Sequence, residues 1–306
     1  MTWHPRDLPD LTGRRAVVTG GNSGIGYHTA LELARTGAEV TLACRDTDAA
    51  YQAARRIAGT AGPGAGAVRT ARLDLASQRS VELFASSWVG PLDLLINNAG
   101  VMTPPRYRVT EDGFELQYGV NHLGHVALTT RLLPALREAA SPRVVTVSSL
   151  AHHAGRPDVA EGNPVETYSP QRAYGNSKLA NLLFAFELQR RAEAAGAALT
   201  STAAHPGIAA TGLATDREGL GSLPLVRFVA PVVTKVVFQS AAAGAHPTLY
   251  AATAAEPGSY TGPQWIREQR GPVGPAKLSR PARDADLAAA LWEATAAQLR
   301  MRLPFS

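Results

Sequence analysis

The chain has 306 residues, of which 45% are hydrophobic and 18% are charged, and its formal net charge at pH 7 is +5. This composition is typical of a globular protein with a sizeable core, and it excludes a disordered chain. The basic residues are scattered along the sequence, without a long run or an aromatic repeat beside them, so we expect no nucleic-acid partner.

Cysteine content and apolar stretches bear on metal binding and compartment. The single cysteine, Cys44, excludes an intramolecular disulfide. His152 and His153 are adjacent but have no third ligand spaced near them, so we expect no metal site. Residues 1–11 lack the apolar core of a signal peptide, and residues 223–238 are too short and too charged for a membrane span. We therefore expect a cytoplasmic protein.

The first two-thirds of the chain alternate between short β-branched runs and longer helical patterns. In chain order they predict strand 15–19, helix 24–36, strand 39–43, helix 47–58, strand 68–73, helix 77–87, strand 92–96, helix 111–138, strand 143–147, helix 173–195 and strand 199–204. Such an order indicates a parallel sheet with helices on both faces.

The rhythm changes after Pro206. Residues 212–240 are rich in glycine, proline and apolar side chains. Because no linker or internal repeat divides the chain, we expect one domain over residues 1–306, with an insertion at about 206–245 that covers the substrate. The remaining pattern predicts a short strand at 259–263, a proline-spaced loop at 271–281 and a helix at 284–299.

A glycine-rich turn connects the first predicted strand to the first helix. Backbone without Cβ atoms permits a tight turn and lets a pyrophosphate approach bare N–H groups, while the positive end of the helix faces the phosphates. An ordinary glycine-rich turn is the alternative, but the place of the turn in a βαβ unit favours dinucleotide binding. The predicted phosphate-binding residues are Gly20, Asn22, Ser23, Gly24, Ile25 and Gly26.

The end of the second strand bears on the choice between NAD and NADP. An acidic residue there would bind the adenosine ribose, whereas a cation would accept its 2′-phosphate. About 20 residues beyond Gly24 stands Cys44, followed by Arg45. A guanidinium matches a phosphate in bidentate fashion, which favours NADP(H) over NAD(H). The nearby Asp46 and Asp48 weigh against this, and Arg45 as a solvated loop residue is the alternative.

Further motifs follow the predicted strands and helices in order: Asp74-Leu75, Asn97-Asn98-Ala99-Gly100, Asn121, Ser148-Ser149, Tyr174-x-x-x-Lys178 and Pro206-Gly207. Together with the glycine turn they resemble those of the short-chain dehydrogenase/reductase family, over about residues 14–212. Within it, segments 113–125, 147–153 and 177–184 are most similar to the retinol dehydrogenases and the WW-domain-containing oxidoreductase. The resemblance implies a doubly wound Rossmann fold of the α/β class, with a parallel sheet of about seven strands.

The resemblance also implies the cofactor-binding residues. Asp74 and Leu75 would contact the adenine. Asn97, Ala99 and Gly100 would line the adenosine ribose and the central sheet. Lys178, beside Tyr174, would hold the nicotinamide ribose. Pro206, Gly207 and Thr211 would border the nicotinamide.

Tyr174 and Lys178 stand four residues apart on a predicted helix, so they share a face. A free tyrosine has a pKa near ~10, too high for a base at neutral pH. A cation one turn away favours the phenolate, so we expect Lys178 to lower the pKa of Tyr174. A chance pair on a surface helix is the alternative.

Two further catalytic residues are implied by the resemblance. A serine would hydrogen-bond the substrate oxygen, and we assign Ser149 rather than Ser148, since adjacent strand residues face opposite sides. Asn121 would bind a water that links Lys178 to solvent. A buried amide at a helix irregularity is the other interpretation of Asn121, and both can hold together.

These assignments predict an oxidoreductase that moves hydride between NADP(H) and a carbonyl or alcohol substrate. A non-catalytic dinucleotide-sensing protein is the alternative, and loss of Tyr174 or Lys178 would be its signature. A nucleotide-sugar epimerase is a third hypothesis, but the roughly 95 residues after Gly212 are too few for its usual substrate domain. The apolar residues of the insertion suggest an apolar small-molecule substrate. They are Leu220, Leu223, Leu225, Val226 and Phe228.

Two expectations concern contacts made by helices. The outer faces of helices 111–138 and 173–195 could pair subunits into a homodimer or homotetramer, although a monomer is equally permitted. His122 and His125, in the first of these helices, are expected to be packing or partner contacts.

Overall fold

A single eight-stranded sheet forms the centre of the molecule. The computed structural model describes residues 3–208 and 239–305, and the ordering of strands across the sheet is β3-β2-β1-β4-β5-β6-β7-β8. The strands are β1 (Arg15–Thr19), β2 (Glu39–Cys44), β3 (Val68–Arg72), β4 (Leu94–Asn97), β5 (Arg143–Val147), β6 (Thr200–Ala204), β7 (Tyr260–Trp265) and β8 (Arg270–Pro275). The first seven run parallel and β8 pairs antiparallel with β7. The predicted doubly wound α/β fold is confirmed.

Helices cover both faces of the sheet. They are α1 (Gly24–Arg35), α2 (Thr47–Ala61), α3 (Gln78–Ser86), α4 (Leu116–Tyr118), α5 (Gly124–Arg131), α6 (Leu133–Glu138), α7 (Pro170–Ala194), α8 (Ala241–Thr253) and α9 (Ala285–Leu299). A π-helical turn, Gly119–Leu123, joins α4 to α5, and 3-10 segments at Leu150–Ala154, Pro157–Glu161 and Val165–Thr167 lead from β5 to α7. Within the described ranges, no helix combines the length and apolarity that a membrane span requires.

The two faces of the sheet have separate cores. Alternate residues of β1 point to opposite sides: Val18 packs with Leu33 of α1, whereas Val17 packs in the cluster that holds Val126 of α5 and Leu188 of α7. The strand order reverses between β1 and β4, because the chain first builds β2 and β3 on one side and then continues on the other. A crevice at the carboxyl ends of strands opens at such a reversal, and ligands bind there in this class of sheet.

Two predicted elements were wrong in detail. Residues 111–138 do not form one helix. Residues 111–115 are non-helical, and the π turn separates α4 from α5. Pro134 lies in the first turn of a separate helix, α6, where a proline is tolerated. Strand β8 falls largely within the predicted loop 271–281. Its Pro272 and Pro275 suggested a loop, but β8 is an edge strand, where a missing N–H breaks no ladder.

Most of the predicted insertion at 206–245 lies outside the described residues, so its role over the substrate stays a prediction. Its last residues, 241–245, begin α8, whose Ala245 and Leu249 are fully buried in the cluster that holds Val18 of β1 and Ile96 of β4. The five apolar residues predicted to line the substrate, Leu220 to Phe228, lie outside the described residues.

Helix α9 covers the outer face of α7 that the sequence offered as a subunit contact. Trp292 stacks on Phe184 with ring centroids 5.7 Å apart and an interplanar angle of 17°. The Arg191 guanidinium lies 4.8 Å from the centroid of the Trp292 ring, and its Nη2 is 3.1 Å from Oε1 of Glu293. This part of the α7 face is therefore packed within one chain.

We expect Trp292→Ala to lower the free energy of unfolding by about 3–5 kcal/mol, because it leaves a cavity between α7 and α9. Urea unfolding followed by circular dichroism measures this. Trp265→Ala is the matched control: Trp265 is 62% exposed, and its loss should cost less than about 1 kcal/mol. Equal losses for both variants would contradict the packing role of α9.

Candidate active site

The glycine turn lies at the carboxyl end of β1, where the sequence placed it. Gly20 and Gly24 have φ values of +64° and +54°, which favour glycine. A Cβ on Gly26 would stand 2.5 Å from Nδ2 of Asn98 and from the carbonyl oxygen of Gly20. Ser23 occupies the N-cap position of α1, yet its side chain makes no capping hydrogen bond. The first N–H groups of α1 therefore face outward, and the cradle fits a pyrophosphate.

The other predicted turn residues differ in their exposure. Asn22 is half-buried and Ser23 is exposed, whereas the Ile25 side chain packs in the core and fixes the start of α1. Cys44 lies beneath the turn. Burial raises the pKa of the Cys44 thiol to about 11, although the N–H groups of Asn22, Gly21 and Gly20 oppose this.

Thr19 joins the ends of β1 and β4. Its hydroxyl oxygen accepts hydrogen bonds from the N–H groups of Asn98 and Ala99, each at 2.9 Å, and Nδ2 of Asn98 donates to the Thr19 carbonyl at 2.8 Å. Asn97 is fully buried and donates from Nδ2 to the Thr129 hydroxyl at 3.0 Å, away from the turn. Asn98, which the sequence did not single out, is the asparagine that contacts Gly26.

The Asp74-Leu75 segment follows β3 at the same edge. Oδ1 of Asp74 accepts from the Ala76 N–H at 3.0 Å, and the side chain is half-buried. Leu75 is buried, and a Cβ on Gly124 would lie 2.5 Å from its carbonyl oxygen. Leu75 therefore packs against α5, and Asp74 is the member of the pair that is open to a ligand.

Tyr174 and Lys178 lie one turn apart on α7, as predicted. Nζ of Lys178 is 5.7 Å from the Tyr174 ring centroid and donates to the Val147 carbonyl at 3.2 Å. The Ser149 hydroxyl lies close enough to the Tyr174 hydroxyl to lower its pKa. Ser148 is buried instead and donates to the Lys178 carbonyl at 2.8 Å. The structure therefore brings Ser149, and not Ser148, to the phenol.

Burial controls the protonation of both side chains on α7. It raises the pKa of Tyr174 to about 12, with the Ser149 hydroxyl acting in the opposite direction. It lowers the pKa of Lys178 to about 8. The expectation that Lys178 lowers the pKa of Tyr174 does not hold for the protein by itself, because desolvation disfavours the charged form of each group.

Asn121 lies in the π turn and is fully buried. Its Oδ1 accepts from the Val101 N–H at 2.8 Å, and its Nδ2 donates to the Val101 carbonyl and to the Ser177 hydroxyl, each at 3.0 Å. A Cβ on Gly100 would lie 3.1 Å from this Oδ1 and 3.5 Å from Nζ of Lys178. The backbone of Gly100 therefore passes between Asn121 and Lys178.

The segment after β6 reaches the same edge. Gly207 has a φ of +66°, and its N–H donates to Nδ1 of His205 at 3.2 Å. The Pro206 carbonyl accepts from Nε2 of Gln239. Thr211 lies outside the described residues.

Arg45 directly follows β2, at the carboxyl end of that strand, and is exposed. Asp46, which weighed against an anion there, is the N-cap of α2: its Oδ1 accepts from the Ala49 N–H at 2.9 Å. That carboxylate is therefore directed at α2, and the objection to a phosphate beside Arg45 is weaker than the sequence suggested.

The histidines of the loop after β5 are not arranged as metal ligands. Nδ1 of His152 donates to the Ser149 carbonyl at 2.8 Å, and its Nε2 accepts from the Ser279 N–H at 3.2 Å. His152 is thus a fully buried connection between the Ser149 loop and the segment before α9, whereas the adjacent His153 is exposed. In residues 3–208 and 239–305, no three candidate metal ligands cluster.

The model of the short chain dehydrogenase family matches residues 14–219. The chain belongs to this family. It is therefore an NAD(P)-dependent oxidoreductase that acts on CH–OH groups of a small-molecule substrate.

Several relatives carry the names of dehydrogenases. Human retinol dehydrogenase 13 is 39% identical over 299 residues, which cover 96% of this chain and 87% of the human protein. Polyprenol dehydrogenase of Mus musculus is 40% identical over 297 residues, covering 95% and 85% of the two chains. Retinol dehydrogenase 11 of Mus musculus is 48% identical over 200 residues, covering 64% and 62%. The resemblance to the retinol dehydrogenase subgroup is confirmed.

Solved structures agree with this fold. An uncharacterized protein from Mycobacterium paratuberculosis is 43% identical and superimposes with a TM-score of 0.80 over 99% of this chain and 100% of the other. The Pseudomonas aeruginosa RhlG/NADP complex, at 24% identity and a TM-score of 0.61 over 84% and 96% of the two chains, shows the same fold.

We expect Lys178→Met to stabilise the fold at pH 7 by up to about 3 kcal/mol, because it removes a buried charge. The Lys178 ammonium keeps its proton up to about pH 10.5 in the unfolded chain but loses it near pH 8 in the folded protein. Wild-type stability should therefore rise across this window and the advantage of the variant should shrink. Urea unfolding at pH 7 and pH 10 measures both. Lys277→Met, at an exposed position, is the control, and a destabilised Lys178→Met variant would contradict the charge argument.

Proposed function

We propose that this enzyme transfers hydride between NADP(H) and an apolar carbonyl or alcohol through Ser149, Tyr174 and Lys178. The observation that carries the proposal is the meeting of the Ser149 and Tyr174 hydroxyls beside Lys178, at the strand edge that also holds the phosphate cradle. A carbonyl oxygen placed between the two hydroxyls would find a hydrogen-bond donor and a proton donor together.

The protonation states favour the reductive direction. Tyr174, with a pKa of about 12, is protonated at neutral pH. NADPH, when bound, supplies the hydride that adds to the carbonyl carbon. Tyr174 gives its proton to the carbonyl oxygen, which becomes a hydroxyl, and Ser149 donates a hydrogen bond to that oxygen while charge develops on it.

Lys178 is suited to restore the Tyr174 proton. Its pKa of about 8 lies below that of Tyr174, so proton transfer from the ammonium to a phenolate is downhill. We propose that Asn121 orders a water between Lys178 and solvent, as the family resemblance implies. The place of Gly100 between Asn121 and Lys178, with no Cβ to fill the space, supports a small molecule there.

The residues that would hold the cofactor follow the strand edge. We propose that the Gly20 to Gly26 turn binds the pyrophosphate and that Asp74 faces the adenine. Ala99 and Gly100 would lie along the adenosine ribose, with Asn97 supporting them from the core. Arg45 would receive the 2′-phosphate, and Pro206 and Gly207 would border the nicotinamide.

The substrate class is proposed from the relatives. Retinol and polyprenol, which name the retinol and polyprenol dehydrogenases, are apolar primary alcohols. We therefore propose an apolar primary alcohol or its aldehyde. Initial rates of NADPH oxidation with a panel of aldehydes of increasing chain length test this, and equal rates with long apolar and short polar aldehydes would contradict it.

We expect Tyr174→Phe to lower kcat by roughly a thousandfold or more while leaving the Kd for NADPH within about twofold, because only the proton donor is lost. NADPH absorbance gives the rate and NADPH fluorescence gives the Kd. Tyr168→Phe is the matched control, since the Tyr168 hydroxyl donates to the Pro104 carbonyl. Survival of activity in Tyr174→Phe would overturn the mechanism. Tight NADPH binding by a wild-type protein that reduces no carbonyl would favour a dinucleotide sensor.

We expect Arg45→Ala to weaken NADPH binding by roughly tenfold or more while changing NADH binding little, because only NADPH carries the 2′-phosphate. Arg55→Ala removes an exposed charge from α2 and controls for net charge. Parallel fluorescence titrations give the four affinities, and equal losses for both cofactors would contradict a phosphate contact.

A further inference from the structure

His125 occupies the space between the phosphate cradle and the catalytic helix. It lies on α5, it is 1% exposed, and both of its ring nitrogens are hydrogen-bonded. Nδ1 is 2.9 Å from the Asn121 carbonyl oxygen, and Nε2 is 2.9 Å from the Thr19 hydroxyl oxygen. It is therefore more than the packing or partner contact that the sequence suggested.

The partners of the ring fix its tautomer. A carbonyl oxygen only accepts, so Nδ1 of His125 carries the proton and donates to Asn121. Nε2 then has a lone pair and accepts the Thr19 hydroxyl proton. The Thr19 oxygen accepts from the Asn98 and Ala99 N–H groups. Its own proton has two acceptors in reach, Nε2 of His125 at 2.9 Å and the Ile96 carbonyl oxygen at 3.3 Å, and the shorter contact assigns it to the ring. Each polar atom of this group has a partner of the right kind. Burial, followed by the charge of Lys178, lowers the pKa of His125 to about 4, which agrees with a neutral ring.

The line of hydrogen bonds continues to the catalytic tyrosine. Nδ2 of Asn121 donates to the Ser177 hydroxyl at 3.0 Å, and that hydroxyl donates to the Tyr174 carbonyl at 2.8 Å. Through His125, the end of β1 is thus connected to the backbone of α7 at Tyr174. Every side chain between the two ends is buried.

The π turn lies directly before His125 in the chain. In the turn the Gly124 N–H donates to the Gly119 carbonyl, five residues back. The His125 ring bonds the carbonyl of Asn121, which lies inside this turn, and so connects the turn to the end of β1 through Thr19. In this register the Asn121 amide reaches Val101 and Ser177.

We propose that His125 is a positioning residue with two separable arms. The Nδ1 arm holds Asn121, and through it Ser177 and Tyr174, in the register that turnover needs. The Nε2 arm holds Thr19, and through it the ends of β1 and β4, in the shape that binds NADP(H). This inference rests on the proposed hydride-transfer function.

Two substitutions separate the arms. In His125→Asn the side-chain amide lies near the position of Nδ1, so this variant keeps the contact with Asn121. In His125→Gln the amide reaches the position of Nε2, so this variant keeps the contact with Thr19. We expect His125→Asn to keep kcat within about threefold and to weaken NADPH binding roughly tenfold. We expect His125→Gln to keep the Kd for NADPH within about twofold and to lower kcat roughly tenfold or more, a loss common for residues that orient others. NADPH fluorescence gives the Kd, and NADPH oxidation with the best aldehyde of the panel gives kcat.

Thermal unfolding and a neighbouring histidine separate positioning from mere packing. His122 is equally buried and contacts the Thr295 hydroxyl of α9 at 3.1 Å. His122→Asn and His122→Gln should lower Tm, but neither should change kcat and the Kd for NADPH independently of each other as the two His125 variants do. If His125→Asn and His125→Gln change both constants in proportion to their loss of Tm, His125 is a packing residue and the proposal fails.

Nitrogen-15 NMR of histidine-labelled wild-type protein gives a test that needs no turnover. The proposal requires the Nδ1–H tautomer of His125 at pH 7, assigned through the His125→Asn spectrum or, where that variant does not fold, through couplings to the ring. The Nε2–H tautomer or a protonated ring would overturn it. A different result would separate this proposal from the proposed function. If the protein reduces no carbonyl, but His125 has the Nδ1–H tautomer and only His125→Asn weakens NADPH binding, the proposed function is contradicted and the Nε2 arm of His125 is supported.

Discussion

The hydrogen bonds of the Thr19 hydroxyl are the constraint on which the site depends. The strand order reverses between β1 and β4, so helices leave the two strands in opposite directions and their carboxyl ends open a crevice. The Thr19 oxygen fixes the width of this opening, because it binds the N–H groups of Asn98 and Ala99 directly across it. Asn98 then reaches back to the Thr19 carbonyl and lies against Gly26. The glycine turn and the segment from Asn98 to Gly100 take their positions from this junction.

Burial of the catalytic pair gives the site its chemistry at a cost in stability. An ammonium taken from water into the core between β5 and α7 is expensive, and among the described residues Lys178 donates to the Val147 carbonyl. Desolvation lowers the pKa of Lys178 to about 8 and raises that of Tyr174 to about 12, so the two values lie further apart than they do in water. The Lys178 ammonium is therefore the stronger acid of the two, and transfer of its proton to a Tyr174 phenolate is downhill. A site built in this way gives up folding free energy to set the order of the two proton affinities.

Local pattern predicted most of this fold, and tertiary context decided the rest. The first six strands and the glycine turn were found because alternation, β-branched runs and turn residues are local signals. Strand β8 was missed because its prolines are tolerated only by virtue of an edge position, which no local pattern encodes. The sequence offered the irregularity at Asn121 only as an alternative, and the break at Gly119–Leu123 was not predicted because all five residues are buried, so the hydrophobic pattern there shows no exposed face. Among the site residues, the motifs located Tyr174, Lys178 and Ser149 together. They did not show that Asn97 points into the core, where it bonds Thr129, and that Asn98 is the asparagine that bonds Thr19.

The histidines show most clearly why sequence alone was insufficient. A histidine in a helical pattern reads as packing, since its partners are distant in sequence: Thr19 is 106 residues from His125, and Ser279 is 127 residues from His152. Both rings donate from Nδ1 to a backbone carbonyl in the site and accept at Nε2 from a second segment. Neutral imidazole is suited to this because it is rigid and offers one donor and one acceptor on opposite sides of a ring. A leucine would fill a similar volume and avoid the desolvation of two polar atoms. It would, however, form no hydrogen bond that fixes the position of either neighbouring segment. Buried polar groups that are fully satisfied restrict a core to one arrangement, and a site that must align two hydroxyls with a cofactor has most use for that restriction.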